Sequence, residues 1–341
     1  MNSPTHLEPV PANRIEGARA VGQALLNASR IVMTTHVNAD GDGMGSEIAL
    51  VHLLRAAGRN VVIANPTPAP DRYRFLMDPV MDCDRTGQPG SAIKSADLFL
   101  VLDIADLSRL GALAEAIRQR NITTACIDHH LSPGTLPAGP RLVDAEASAT
   151  AELVYDLAVV NGWPIDANAA QAMYVGLLTD TGGFRFGNTR PRVLRVAASL
   201  LEAGVHPERV YELVYATASE GRIRLTAEVL NTLEVEPDIG LSWLTVPEGA
   251  IERHKVSADD LDGLVEHARS IQGTRVALLF RVLANGKVKV SFRSIGDFDV
   301  AEFAHQFGGG GHAKAAGASM AGDVASVRAQ VLDAARKALA Q

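Results

Sequence analysis

His36, Asp40 and Asp42 stand at spacings i, i+4 and i+6 around a glycine-rich turn, Asn38-Ala39-Asp40-Gly41-Asp42-Gly43-Met44-Gly45. Asp103 follows the apolar run Leu98–Leu102, and Asp128-His129-His130 follows the run from Ile122 to Ile127. Asp180 precedes Thr181-Gly182-Gly183. Taken singly these are ordinary residues: turn formers, a helix cap, a solvated helix end. Taken together they form a set of carboxylates and imidazoles. Carboxylates brought close repel and raise one another's pKa unless cations neutralise them. Asp40, Asp42, Asp103 and Asp180 would be balanced by two divalent metal ions. Oxygen ligands mixed with imidazole suit Mn²⁺, with Mg²⁺ and Co²⁺ as alternatives, better than a thiolate-type zinc site. Two such ions about 3.5–4 Å apart activate water and stabilise an in-line displacement at phosphorus.

For these groups to meet, several strand ends must lie side by side, and the patterning supplies that. Residues 13–29 read as a helix and Ile31 to Thr35 as a strand. Ser46 is expected to cap the next helix, whose apolar face is Ile48, Leu50, Val51, Leu53 and Leu54. Further strands are expected at 61–64, 98–102 and 122–127, with a helix at 106–119 and a Pro/Gly loop at 131–140. Continuous apolar strands alternating with helices predict an α/β, doubly wound, mostly parallel sheet. Ligands of such a sheet sit outside the carboxyl ends of its strands. His36 and Asp103 are therefore expected to converge.

Helices follow at about 147–160, 167–181, 191–203, 207–216 and 219–232. The texture then changes to strands near 240–246, 275–283 and 287–293, the last two joined by the hairpin signal Asn285-Gly286. A helix near 299–306, the run Gly308–Gly311 and a helix at 323–340 close the chain. The expected division is a catalytic domain at 13–216, a linker helix region at 217–233 and a smaller α/β domain at 234–341. In the smaller domain, Gly308–Gly311 followed by His312 suits a tight loop whose N–H groups and imidazole approach a phosphate. Arg293 would be the cationic partner of that phosphate or its base.

The chain has 341 residues, 47% hydrophobic and 21% charged, with a net charge of −7. Neither half carries the basic excess that binding long duplex DNA requires. The two cysteines, Cys83 and Cys126, make neither a zinc spacing nor a disulfide framework, consistent with a reducing cytoplasm. The N-terminal stretch has no apolar signal region and no run approaches a membrane span. A soluble, cytoplasmic protein without membrane contact is expected. The helical region 190–230 could supply the face of a homodimer.

His36-x3-Asp40-x-Asp42, Asp103 within Asp-Ile-Ala-Asp, Asp128-His129-His130 and Thr179-Asp180-Thr181-Gly182 resemble the successive motifs of the DHH phosphoesterase superfamily. Phe292-Arg293-Ser294 and Gly308-Gly309-Gly310-Gly311-His312-x3-Ala316-Gly317 resemble its DHHA1 domain. The family turn often reads Pro-Asp-Gly-Asp-Ala, where this chain has Ala39-Asp40-Gly41-Asp42-Gly43, but the ligands survive. The resemblance is to the short two-domain branch of nanoRNases, 3′-phosphoadenosine-5′-phosphate (pAp) phosphatases and cyclic-di-AMP phosphodiesterases. It implies that His36, Asp40 and Asp103 hold one metal and that Asp42, Asp103, His129 and Asp180 hold the other. It implies further that His130 contacts the scissile phosphate and that Asp128 orients a histidine. Arg293, Ser294, Gly310, Gly311 and His312 would bind the rest of a short nucleotide, in a cleft between domains. A RecJ-like single-strand exonuclease is the main enzymatic rival, although the chain has no room for its extra nucleic-acid-binding domain. A pyrophosphatase would lack the glycine run, and a non-catalytic nucleotide-binding regulator would tolerate loss of Asp103.

Overall fold

Strands whose side chains are apolar on both faces, such as Ile31–Met33 and Leu98–Leu102, are stable between two layers of helices, and this is how the first part of the chain folds. The computed structural model describes residues 7–86, 89–119, 122–130, 135–261, 263–283 and 285–340. It divides into two compact units, Met1–Thr217 and Ala218–Gln341. The first unit runs α1 (Ala12–Asn27), β1 (Arg30–Thr34), α2 (Gly41–Ala56), β2 (Asn60–Ile63), α3 (Arg74–Met77), α4 (Pro89–Ser95) and β3 (Leu98–Leu102). It continues with α5 (Ala112–Arg118), β4 (Thr123–Asp128), β5 (Arg141–Val143), α6 (Thr150–Asn161), α7 (Ala167–Asp180), α8 (Pro191–Glu202) and α9 (Pro207–Tyr215). The strands form an all-parallel sheet in the order β2-β1-β3-β4-β5.

Alternation along the strands decides which layer each side chain meets. Ile31, Met33, Leu100, Leu102, Ala125 and Ile127 pack beneath α1, α2, α6 and α7. Val32, Phe99 and Val101 point the other way, against Ile93 of α4 and Leu113 and Ile117 of α5. Helices α2 and α7 approach backbone to backbone. A Cβ on Gly45 would run into the Ala172 carbonyl, and one on Gly176 would stand 2.7 Å from Asp42 Oδ1.

The second unit runs α10 (Glu220–Leu230), β6 (Glu234–Glu236), β7 (Leu241–Thr245), α11 (Ala250–His254), α12 (Leu264–Arg269), β8 (Val276–Val282), β9 (Val288–Ser294), α13 (Val300–His305), β10 (Gly310–His312), β11 (Ala315–Met320) and α14 (Val324–Leu339). Its sheet, β10-β11-β9-β8-β7-β6, is mixed: β7 and β8 are parallel and the other neighbours antiparallel. Trp243, Leu278, Phe280, Val290 and Phe292 face α13 and α14, while Leu244, Ala277 and Leu279 face α10 and α12.

The structure corrects several local expectations. The helix after the glycine-rich turn begins at Gly41, not after Ser46, because Asp40 accepts from the N–H groups of Asp42 and Gly43 and so caps it earlier. The glycine-rich turn is thus the helix's first turn, and Ser46 is buried inside it. The expected helix at 106–119 is a 3₁₀ turn, Leu107–Leu110, then α5, divided at Gly111 with φ +56°. Gly310 and Gly311 are not in a loop: they pair with Gly317 and Ala316 as β10. Of the expected loop 131–140, residues 131–134 lie outside the described part. Among the described residues, no helix is long and apolar enough to cross a membrane.

Candidate metal centre

The carboxyl ends of β1, β3 and β4 bring His36, Asp103 and His129 together, and α2 and α7 add Asp40, Asp42 and Asp180. His36 Nε2 lies 3.7 Å from both Asp40 Oδ2 and Asp103 Oδ2. His129 Nε2 lies 3.8 Å from Asp42 Oδ2, 3.6 Å from Asp103 Oδ1 and 3.5 Å from Asp180 Oδ2. The two oxygens of Asp103 thus face two different ligand sets. The potential ligand atoms of His36, Asp40 and Asp103 lie within 4.8 Å of one another, as do those of Asp42, His129 and Asp180 and those of Asp103, His129 and His130. These separations are too long for hydrogen bonds but suit atoms sharing an ion about 2.1 Å from each. The donor chemistry fits divalent cations, and one atom makes the fit specific: His36 Nε2 is buried without a hydrogen-bond partner. Its other ring nitrogen, Nδ1, lies 2.9 Å from the Val37 carbonyl, which fixes the ring with Nε2 aimed at the two aspartates.

A bound cation would relieve the electrostatics of this cluster. Burial pushes the carboxyl groups of Asp42, Asp103 and Asp180 upward, repulsion among the aspartates adds to it, and Asp180 is pushed up to about 6. Burial would also raise Asp40, but attraction to His36 and the donating N–H groups of Asp42 and Gly43 outweigh it and hold Asp40 at about 2. Burial works against a charged His36, and Asp40 reverses that, raising its pKa. Asp103 has φ +55° and Ala105 φ +56°, a left-handed backbone that costs energy in non-glycine residues. The Ile127 carbonyl accepts from Asp103 N–H at 3.0 Å, and Asp128 Oδ2 accepts from Ala105 N–H at 2.8 Å, so the strain is held in place. Asp128 Oδ1 also accepts from His130 N–H and lies 2.8 Å from His130 Nδ1. Burial opposes a charged His130, and the contact with Asp128 raises its pKa nonetheless.

The segment 144–151 organises this site, and sequence reasoning missed it. Thr150 N–H donates to Asp42 Oδ2 at 2.6 Å and Ala151 N–H to Asp42 Oδ1 at 2.9 Å. Thr150 Oγ1 donates to Asp103 Oδ1 at 3.1 Å, and His129 Nδ1 lies 3.4 Å from the Ala147 carbonyl. Glu152 anchors the segment by accepting from Ser148 N–H at 2.8 Å. Glu152 is itself gripped by Arg14 at 2.7 Å and Arg192 at 2.5 Å, which also pair with buried Asp156. Asn188 donates to the carbonyls of Ser148 and Asp180. The available signal was Ser148-Ala149-Thr150 ahead of an apolar helix, a helix start placed just beyond β5. Cys126, which lies within β4, is fully buried, and burial pushes its thiol up, so it belongs to the core.

The remaining expected residues lie in the second unit. Arg293 is half-buried and already paired, its Nε 2.8 Å from Glu266 Oε1. Ser294 is buried, with its hydroxyl donating to the Phe298 carbonyl at 2.7 Å. The side chain of His312 lies outside the described part. A Cβ on Gly311 would stand 2.5 Å from the Ala315 carbonyl, so β10 and β11 require glycine there.

The family model for the DHH family, N-terminal domain, matches residues 30–177, and that for the DHHA1 domain matches residues 244–341. A Thermus thermophilus protein named bifunctional oligoribonuclease and PAP phosphatase NrnA is 36% identical, over 91% of this chain and 90% of its own length. This chain belongs to the DHH/DHHA1 phosphoesterase family. As a DHH/DHHA1 protein it is a hydrolase of phosphate esters. The crystal structure of an exopolyphosphatase-related protein from Bacteroides fragilis is 27% identical with a TM-score of 0.89, covering 98% of this chain and 100% of that one. RecJ from Thermus thermophilus, crystallised with Mn²⁺, is 16% identical with a TM-score of 0.57. This chain covers 56% of RecJ, and that likeness is one of fold.

Proposed function

We propose that this DHH/DHHA1 protein is a Mn²⁺-dependent hydrolase of short oligoribonucleotides and of pAp, with cyclic-di-AMP as a further candidate substrate. The observation that carries the reading is Asp103, whose two oxygens each face a separate ligand set, one of them completed by a buried, unpartnered imidazole nitrogen. His36, Asp40 and Asp103 would hold one ion, and Asp42, Asp103, His129 and Asp180 the other. When bound, the ions supply an acidified water and offset the charge that builds on phosphoryl oxygens.

The chain's own residues do the rest. Asp128 fixes His130 by contacts to both its N–H and its ring, leaving the imidazole to donate to the scissile phosphate or its leaving oxygen. Thr150 and Ala151 hold Asp42 so that its oxygens keep their direction during turnover. The 13–216 region is the catalytic domain in this reading, 217–233 the linker, and 234–341 the substrate-binding domain, with Arg293, Ser294, Gly310, Gly311 and His312 on the nucleotide. A small substrate accords with a net charge of −7, and the names of curated relatives point the same way. A cytoplasmic homodimer completes the proposal.

The test is chromatography of products from purified protein and Mn²⁺, with pApA, a five-nucleotide RNA, pAp, cyclic-di-AMP and pyrophosphate supplied in parallel. AMP release from the RNAs and pAp, abolished by EDTA, is the expected result. Cleavage of pyrophosphate alone would overturn the proposal.

A further inference from the structure

Beyond the metal ligands, the turn after Asp180 is built at a cost that the ligand set does not explain. Gly182, Gly183 and Phe184 are consecutive left-handed residues, with φ +58°, +70° and +63°. A phenylalanine in that conformation stores strain, which the surrounding hydrogen bonds hold in place. Thr181 provides them: its carbonyl accepts from the N–H groups of Arg185 and Phe186, and its hydroxyl oxygen accepts from Phe184 N–H. The outcome is a sorting of three consecutive side chains. Phe184 turns inward, its ring 6.0 Å from that of Tyr174. Arg185 and Phe186 turn outward, and Phe186 remains 51% exposed.

The exposed ring lies against Gly182. A Cβ on Gly182, two residues from Asp180, would run into the Phe186 ring. Arg185 Nε donates to the Gly182 carbonyl at 2.6 Å, and among the described residues its guanidinium has no carboxylate partner. Tyr215, at the end of α9, is within electrostatic reach of Arg185 and Arg72. It is exposed, as is Tyr211, whose ring centroid is 5.6 Å from its own. Exposed aromatic rings interleaved with cations, on a chain that is acidic overall, are the chemistry of a single-stranded nucleic-acid track. Rings stack on bases regardless of sequence, while the arginine meets the phosphate between them.

We propose that Phe186 and Arg185 form a stacking strip for the nucleotide adjoining the one whose phosphate lies at the metal centre. The strip makes the enzyme prefer strands of two or more nucleotides over a mononucleotide. The inference rests on the proposed nucleotide hydrolysis and adds a length preference to it.

The experiment uses Phe186→Leu, which keeps an apolar cover on Gly182, and Arg185→Gln. Steady-state kinetics should show the ratio of KM for a five-nucleotide RNA to KM for pAp rising about tenfold in each variant, the loss expected from one stacked base or one phosphate contact. An unchanged ratio overturns the strip. Anisotropy of a fluorescein-labelled five-nucleotide RNA, measured in an Asp103→Asn background so that no strand is cut, separates this from the parent reading. Binding weakened by Phe186→Leu in that background, together with no nucleotide hydrolysis by the wild-type chain, would sink the proposed function and keep the strip. Nucleotide hydrolysis by the wild-type chain, together with binding unaltered by Phe186→Leu in that background, would do the reverse. A change of oligomeric state in Phe186→Leu would overturn the strip in favour of an interface between copies of the chain.

Discussion

Thr150 donates its hydroxyl to Asp103 Oδ1 at 3.1 Å, on the same oxygen that faces His129 and His130. Asp103 stands on a left-handed backbone at the end of β3, and Thr150 is the first residue of α6. The hydroxyl therefore couples a strained strand end to a helix start, and it decides which carboxylate oxygen faces which ligand set. Thr150 is a positioning residue whose effect passes through Asp103.

Replacing Thr150 with valine keeps the shape and the N–H to Asp42 but removes the hydroxyl. Mn²⁺ affinity should fall about tenfold, the lower end of what losing a partner of a ligand costs. Isothermal titration with Mn²⁺ measures this without turnover, and Thr150→Ser should restore affinity. Wild-type affinity in Thr150→Val would show that Asp103 needs no such support.

Glu47 gives a pH dependence separate from the ligands. It is fully buried in α2 and accepts from Asn65 Nδ2 at 2.8 Å, while its other oxygen has no partner. Burial, only partly offset by Asn65, pushes its pKa up to about 8 from 4.5. Below pH 4.5 both folded and unfolded chains hold the proton, and the full stability is present. Between 4.5 and about 8 the unfolded chain ionises first, so stability falls as pH rises, by at most about 1.4 kcal/mol per pH unit. Glu47→Gln should flatten that slope in urea unfolding followed at pH 5, 6.5 and 8. A slope identical to that of wild type would mean that Glu47 is ionised in the fold.

Much of the site was legible because its residues follow apolar runs. Three parallel strands ending in His36, Asp103 and Asp128-His129-His130 place those groups along one edge whatever the details of packing. The boundary at Gly41 was not legible, because Ser46 and Asp40 are both good caps and only the local hydrogen bonds choose between them. β5 is three residues long, too short to show a period. β11 begins Ala315-Ala316-Gly317-Ala318, residues that carry little strand preference of their own, and is fixed by pairing with β9. Thr150 was invisible as a site residue because hydroxyls at helix starts are common, and what matters here is the carboxylate that lies across from it. The ion pair of Arg293 with Glu266 joins residues 27 positions apart and depends on β9 lying beside α12.

Asp103 is the residue shared by both ligand sets. The decisive measurement is Asp103→Asn, assayed for pApA hydrolysis and for Mn²⁺ bound per chain by electron paramagnetic resonance. Hydrolysis should fall by about 10²–10³-fold or more, as when a main source of transition-state charge stabilisation is removed. The two-ion stoichiometry expected of the wild type should be lost while the far-ultraviolet circular dichroism stays that of the native fold. A folded Asp103→Asn protein that still binds two ions and hydrolyses pApA at the wild-type rate would contradict that role for Asp103.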